Sequence, residues 1–591
     1  MYDQEVQAAP RVSKRNILLF GLAIVGLMLL VYGSILNAEF VRWDDDLLVF
    51  ENPAVRTMTP WSIKQIFTTY DPELYIPLTL FSYQLNVLVG GLDPFVYHLT
   101  NLLLHAASAL VLSGIVLLLT RKRLVAAVTG VLFAIHPLHT EAVAWVSARK
   151  DVLSMTFFLL SILCYLLYQD RDRRKWFHYS LAFFVCALLS KVIAITLPIV
   201  LILLDLQKKK TVKESLLRDK IPFFVLSVIF GIIAVFGKSG QASVTTPFET
   251  VVMASRSMVF YLGKIFAPFN LSVIYPESGS ISLGNPTFLI AAILVIAITI
   301  AAFLLRNRFR ILATSWLFFL VTLGPTFPLY RKGFEGGDVY FASDRYAYIP
   351  SIGIIVLLVV VLHHLLRRWR HGFLVASILL IASCSWLSYK QSRHWENSEA
   401  LFTNALSLYP MAQAAHNNLG MVYYIKGDLT KAQEHFEEAI TIRPLASTYA
   451  NLGSLYRRKG DLSTALGAYQ TAIKMSPSER DAYFGLGILF AQAGRISESE
   501  LAYQKAIAIR PSDASTYLNL GGLYAQAGEW SAAIDQYLLA LERNPYYANA
   551  YFNLGMAYKK LGRMEEAKEA FTKALQYDSS MEPARGQLIG L

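Results

Sequence analysis

Residues 97–141 read YHLTNLLLHAASALVLSGIVLLLTRKRLVAAVTGVLFAIHPLHTE: two apolar runs, 97–120 and 124–141, joined by Arg121-Lys122-Arg123. A helix needs roughly 20 mostly apolar residues to cross a bilayer, and each run is near that length. A short basic loop between two such runs stays on the cytoplasmic side, because Lys and Arg resist translocation. The ends away from it are polar. His98, Asn101 and His105 share one helical face by their i, i+3, i+7 spacing. His136-Pro137-Leu138-His139-Thr140-Glu141 closes the second run, and Pro137 breaks any helix that would align the two histidines. The stretch therefore specifies an α-helical membrane hairpin with a polar, non-cytoplasmic end.

The pattern repeats up to Tyr389. Eleven apolar runs are legible, near 17–37, 97–120, 124–141, 152–170, 179–191, 193–206, 221–237, 286–305, 311–327, 348–366 and 372–389, the fifth and sixth short enough to form a broken pair. Arg171 to Lys175, Lys208 to Lys220, Arg306 to Arg310 and Arg367 to Arg370 fall in alternate loops, on the same side as Arg121–Arg123 and the basic N-terminus. That places the N-terminus in the cytoplasm and, with an odd span number, residues 390–591 in the periplasm, or in the lumen of an ER protein. The first run is expected as a retained span, since no small-residue cleavage site precedes Trp43. The net charge of +12 is largely this topological charge, so nucleic acid is not expected as a partner. Cys164, Cys186 and Cys384 all lie in apolar runs, placed for neither a loop disulfide nor a metal cluster. Three outer segments, 38–96, 238–285 and 328–347, are longer than an anchor requires and point to a site assembled on that face.

From Lys390 onward the chain is charged and alanine-rich, with a period close to 34. Asn-Leu-Gly or a variant recurs at Gly420, Gly453, Gly487, Gly521 and Gly555, with turn glycines at Gly427, Gly460, Gly494, Gly528 and Gly562. Aromatics follow at Phe436, Tyr469, Tyr503, Tyr537 and Phe571. This is the tetratricopeptide repeat: five repeats, a preceding half-repeat helix near Trp395 to Leu408, and a short cap. Such solenoids present a groove for peptides or proteins. Asn418, Asn451, Asn519 and Asn553 each precede Leu-Gly; an amide both donates and accepts, so they are candidates to clamp a peptide backbone, or else repeat-consensus surface residues. The fold class is all-α: a polytopic membrane bundle in 1–389, then an extracytoplasmic solenoid in 390–591.

Immediately after the first span stand Trp43-Asp44-Asp45-Asp46. Carboxylates beside hydrocarbon are costly and usually functional. Lys191, in an otherwise apolar stretch, and Asp344-Arg345-Tyr346 before Pro350 add opposite charge, as do Arg149-Lys150-Asp151. The blander reading of these polar groups is mutual satisfaction inside the bundle. His136 and His139 define no decisive metal-ligand set, so metal is assigned to no residue.

Trp43-Asp44-Asp45-Asp46 with Asn52-Pro53, Tyr75-Ile76-Pro77-Leu78-Thr79, His98-Leu99-Thr100-Asn101 with His105, His136 to Trp145, Ser190-Lys191 and Arg345-Tyr346 occur in the order found in a known family. The chain resembles the multi-pass, O-mannosyltransferase-like type-C glycosyltransferases with C-terminal tetratricopeptide repeats. It departs from many relatives at Ile76, where they carry Arg, and from some at Val192, where they carry Glu after the lysine. The resemblance implies an enzyme working on the outer face with a polyprenyl-phosphate sugar, mannose or another hexose, and a protein acceptor; a divalent metal stays open as a cofactor. Such transfer needs a base for the acceptor hydroxyl and cations for the leaving phosphate. Asp45 is the first choice of base, then Asp44, with Asp46 orienting. Arg345, then Arg149 or Lys191, are chosen for the phosphate, since Arg grips phosphate oxygens bidentately. Trp43, His98, Asn101, His105, His136, His139, Glu141 and Tyr346 are expected to line the pocket. A membrane-anchored scaffold would explain the repeats but not the aspartates or Lys191; a transporter would require paired repeats in the membrane half, and none is legible.

Overall fold

The computed structural model describes residues 13–70, 74–171, 173–207, 218–237, 246–277, 280–329, 339–369 and 371–590. Parts of the three outer segments (71–73, 238–245, 278–279, 330–338) and of the basic ones (Arg11, Asp172, Lys208 to Leu217, Arg370) lie outside the described residues. Two compact units divide at Pro410 and Met411. The half-repeat helix, Ser398–Leu408, belongs to the first unit, although its sequence places it with the repeats.

The first unit is a helical membrane bundle. Among the described residues six helices are long and apolar enough to cross a membrane: Lys14–Asn37, Pro94–Thr120, Val146–Arg171, Pro286–Leu305, Arg310–Phe327 and Gly372–Trp395. A seventh is Arg123–Ile135 with Pro137–Ala144, bent by 52°. Val192–Gln207, Ile221–Gly237 and Ser351–Leu365 are apolar but shorter. Eleven full-length spans are not confirmed among the described residues: several of the apolar runs form shorter helices with polar or proline-marked breaks between them. Lys191 is one such break: it is extended (φ −162°, ψ 130°), ends the helix Arg174–Ser190, and leads into a short 3₁₀ turn.

The hairpin that opens the sequence forms as read. Asp93 caps Pro94–Thr120 by accepting from the Phe95 N–H, and Pro94 supplies the preset φ of a first helical residue. After Ile135 the chain makes no long helix until Arg149. His136 is extended before Pro137, as a residue before proline should be. A 3₁₀ turn (Pro137–His139), a helix (Thr140–Ala144) and a second 3₁₀ turn (Val146–Ala148) follow, all buried. This folded-back segment carries His136, His139 and Glu141. At the other end Arg121 pairs with Asp170 at 3.3 Å, and buried Asp205 pairs with Lys220 at 2.5 Å while accepting from Tyr165. A two-stranded antiparallel ribbon, Tyr275–Glu277 with Val339–Ala342, delivers Asp344 and Arg345 to the polar end.

The second unit holds ten paired helices, Gln413–Lys426 through Met564–Tyr577, and a cap, Glu582–Ile589. All five turn glycines adopt positive φ, between 72° and 85°, where a Cβ would be strained. The Asn-Leu-Gly glycines are tight for another reason. A Cβ on Gly521 would stand 2.6 Å from the Tyr537 ring, and the other four repeats place Gly and aromatic the same way.

Candidate functional site

The three aspartates separate sharply. Asp45 is 1% exposed. Its Oδ2 accepts from the Val41 N–H at 2.9 Å, and its Oδ1 from the Ser147 N–H and hydroxyl at 2.8 and 2.5 Å. Burial pushes its carboxyl up to about 7 against those hydrogen bonds. The first choice for base is thereby a buckle joining the first outer loop to the Val146–Ala148 turn, with both oxygens spent. Asp46 accepts from Leu47 N–H and lies 3.7 Å from Arg42; burial raises its pKa as well. Asp44 is different: its side chain is 43% exposed and lies 3.9 Å from Lys150 Nζ.

Arg149 does not reach this group. Its guanidinium is closed to solvent and donates to Asn101, Asn86 (2.9 Å), Ser82 (3.3 Å) and the Tyr97 carbonyl (2.8 Å), while resting on the Tyr83 ring. The expectation that it binds phosphate is corrected: its fork is committed to the helix packing. Lys150 and Asp151, its neighbours, sit where Arg149 was expected.

Three cations form the core of the site, each facing one carboxylate and at least one aromatic ring. Lys150 faces Asp44 and lies 5.0 Å over Trp145. Arg345 pairs with Glu141 at 2.5 Å and lies 4.8 Å from the Trp145 ring and 4.9 Å from Tyr346. Lys191 pairs with Asp151 at 2.6 Å and lies 5.7 Å from the same tyrosine. The row therefore runs from exposed Asp44 to Lys191 without a gap. Both lysines keep donors beyond these pairs, and Arg345 Nε has no hydrogen-bond partner. Asp344, behind the row, accepts from Tyr275 at 2.8 Å; burial and the Glu141 charge raise its pKa well above the usual carboxylate range.

Lys191 and Tyr346 also border a cavity with about 690 Å³ of open space. Its remaining wall is mostly apolar, including Ile76, Ile193, Phe230 and Ile233. None of the three aspartates lines it. Ile76 is part of the apolar wall.

Most of the other polar candidates are satisfied within the bundle. His105 bonds Tyr348 (2.6 Å) and the Ala134 carbonyl (3.0 Å); His139 bonds the Phe133 carbonyl and Ser351, both at 2.8 Å; His136 bonds the Ile265 carbonyl (3.0 Å). Asn101 holds the Trp145 carbonyl (3.0 Å) and Arg149. His98 is buried beside the Ala38, Glu39 and Ala144 backbone, with neither ring nitrogen in a well-formed hydrogen bond. Trp43 packs edge-on against Phe402, centroids 5.8 Å apart. Of the expected pocket residues, Tyr346 and Glu141 join the cation row. Among the described residues no three ligand-type side chains converge as for a metal ion. In the second unit Asn418 and Asn519 donate to carbonyls four residues back (2.7 and 2.8 Å), Asn451 donates to Asn417 (3.0 Å), and Asn553 is half-buried.

Sequence reasoning passed over Trp145, Lys150, Asp151 and Ser147. The Arg-Lys-Asp triplet was a visible signal, but which member faces the site depends on the turns before it. Nothing local marks Trp145.

Comparison with known proteins bears on both halves. Tetratricopeptide repeat models match residues 410–478, 451–514, 521–562 and 548–581. Human protein O-mannosyl-transferase TMTC1 is 26% identical over 490 residues, covering 71% of this chain and 55% of its own length. Protein O-mannosyl-transferase F38B6.6 of Caenorhabditis elegans is 24% identical over 461 residues, 73% of this chain and 63% of that protein. Residues 390–591 are 202 of the 591, so a likeness covering 71% extends well into the membrane half. The chain spans 55% and 63% of the length of these two curated relatives. The crystal structure of MamA protein is 26% identical, covering 29% of this chain and 94% of that one, with TM-score 0.25.

Proposed function

We propose that the protein transfers a hexose, with mannose the first candidate, from a polyprenyl phosphate to a hydroxyl of a protein acceptor. The reaction is placed on the non-cytoplasmic face, at the end of the bundle away from the basic loops, with the repeats recruiting the acceptor. The observation that carries this reading is the cation row. It joins the part-exposed carboxylate of Asp44 to a mostly apolar cavity bordered by Lys191, a lining suited to isoprene units beside a phosphate. The names of the relatives supply mannose and the protein acceptor.

Asp44 takes the base role in place of Asp45, because its side chain is the most exposed of the three and faces the Lys150 end of the cation row. In the transfer it accepts the proton of the acceptor hydroxyl while that oxygen bonds to the sugar C1. The bond from C1 to the phosphate oxygen breaks, and its electron pair leaves with the lipid phosphate. Lys191 and Arg345 neutralise the charge that develops there, in a setting where water cannot screen it. Asp151 and Glu141 hold the two cations in place beforehand, and Lys150 keeps Asp44 oriented toward them.

The test is a transfer assay with the full chain in nanodiscs, polyprenyl-phosphate mannose and acceptor peptides. Wild type should form mannosyl peptide and Asp44→Asn should not. Equal product from both removes Asp44 from the chemistry, and no product from wild type sinks the reading.

A further inference from the structure

Trp145 carries two of the three cations, yet its own ring has no polar tether. The indole N–H of Trp145 makes no hydrogen bond, and the side chain is fully buried. Its orientation is therefore set by packing alone. The partner it stacks on is Trp395, with ring centroids 6.1 Å apart and planes at 28°. Trp395 is also buried, and its indole N–H likewise makes no hydrogen bond. Two indoles that each give up a hydrogen bond on burial mark a contact kept for its geometry.

Trp395 is itself held in register. It lies in the turn that follows the last span, and that turn is fastened to the run leading into the aspartates. Ser392 and Ser34 hydroxyls meet at 3.1 Å. The Glu39 N–H donates to the Glu396 carbonyl at 2.9 Å, and the Arg42 N–H to the Ser398 hydroxyl at 2.9 Å. Three ties thus run in parallel from residues 34–42 to residues 392–398. The same short brace ends two residues before Asp44 on one side and carries Trp395 against Trp145 on the other.

We propose that Trp395 is a positioning residue, and that the turn carrying it is a brace fixing the spacing between the acidic loop and the Lys150–Arg345 pair. Its catalytic meaning rests on the transferase reading above. Loss of the indole lets Trp145 tilt, and Arg345 and Lys150 then move off the places where phosphate and Asp44 need them. Misplacement on that scale costs rate more than acceptor binding.

The experiment compares full-length wild type with Trp395→Leu and Trp395→Phe, at matched amounts of folded protein. Trp395→Leu should lower kcat about tenfold while acceptor KM stays within about twofold, and Trp395→Phe should restore most of the rate. Ser398→Ala, which cuts one tie and keeps the stack, should give a smaller kcat loss and serves where Trp395→Leu does not fold. An active wild type whose kcat is matched by every variant overturns the brace and leaves the transferase reading intact. Binding of undecaprenyl phosphate separates the reverse case. If wild type transfers nothing but binds the lipid, and Trp395→Leu binds it several-fold more weakly, the reading falls and the brace stands. Equal binding, or none by wild type, overturns both.

Discussion

At the scale of single residues, adjacent aspartates have been given unlike work. Asp44→Asn removes the most exposed of the three carboxylates and should lower transfer by about 10²- to 10⁴-fold, the usual weight of a positioned base, with little change in Tm. Asp45→Asn should do the opposite. Its carboxyl rises from 3.8 unfolded to about 7 folded, so between those values the folded state binds more protons than the unfolded one. Stability from this group is complete below about pH 4 and is lost as pH rises through about 7. The Tm advantage of wild type over Asp45→Asn should accordingly be widest near pH 4 and shrink toward neutrality; a margin that widens instead would reverse the assignment. Arg149→Lys keeps the charge but cannot span Asn86, Asn101 and the Tyr97 carbonyl. It should cost about 1–3 kcal/mol for each acceptor stranded, seen as lost folded yield, while donor KM of the surviving enzyme is unchanged. A raised donor KM with normal stability would return Arg149 to the phosphate site.

Elements differ in how openly their sequences declare them. The repeats are legible because each glycine–aromatic pair meets within one helical hairpin: Gly521 and Tyr537 are 16 residues apart and touch. Gly521→Ala should therefore destabilise the solenoid by about 1–3 kcal/mol through overpacking. Gly522→Ala, whose Cβ would meet nothing within 4 Å, should be neutral or gain up to about 1 kcal/mol from helix propensity. Chemical denaturation of the two variants checks the contrast, and equal losses would refute it. The membrane hairpin was legible for a similar reason, since apolar length and basic loops are local. The folded-back segment 136–148 was only half legible. Pro137 announced the break, but the role of Ser147 depends on Asp45, 102 residues away, and that of Trp145 on residues still farther along the chain. Arg149 was chosen over Lys150 because guanidinium suits phosphate in general; the turn that commits Arg149 to helix packing and sets Lys150 against Asp44 is fixed by tertiary packing.

For the whole molecule the decisive matter is which end of the bundle faces which compartment. The acidic loop, Glu141, Lys191 and Arg345 gather at one end, whereas Arg121 with Asp170 and Lys220 with Asp205 mark the other. On the proposed orientation, drawn from loops that alternate in basic charge, the second end lies in the cytoplasm. The buried Asp205–Lys220 pair, with Tyr165 donating to the same carboxylate at 2.9 Å, then lies beneath the cytoplasmic surface, where ions can be hydrated before the helices close. A lipid-linked sugar on that side would meet no cation row. Alkaline phosphatase fusions test the orientation, because that reporter acquires its disulfides and its activity only outside the cytoplasm. A fusion after Pro410 should be active, and one within Arg121–Arg123 should be inactive though made in equal amount. The opposite pattern would place the aspartates in the cytoplasm and bring the acceptor, the donor leaflet and the role of the repeats down together.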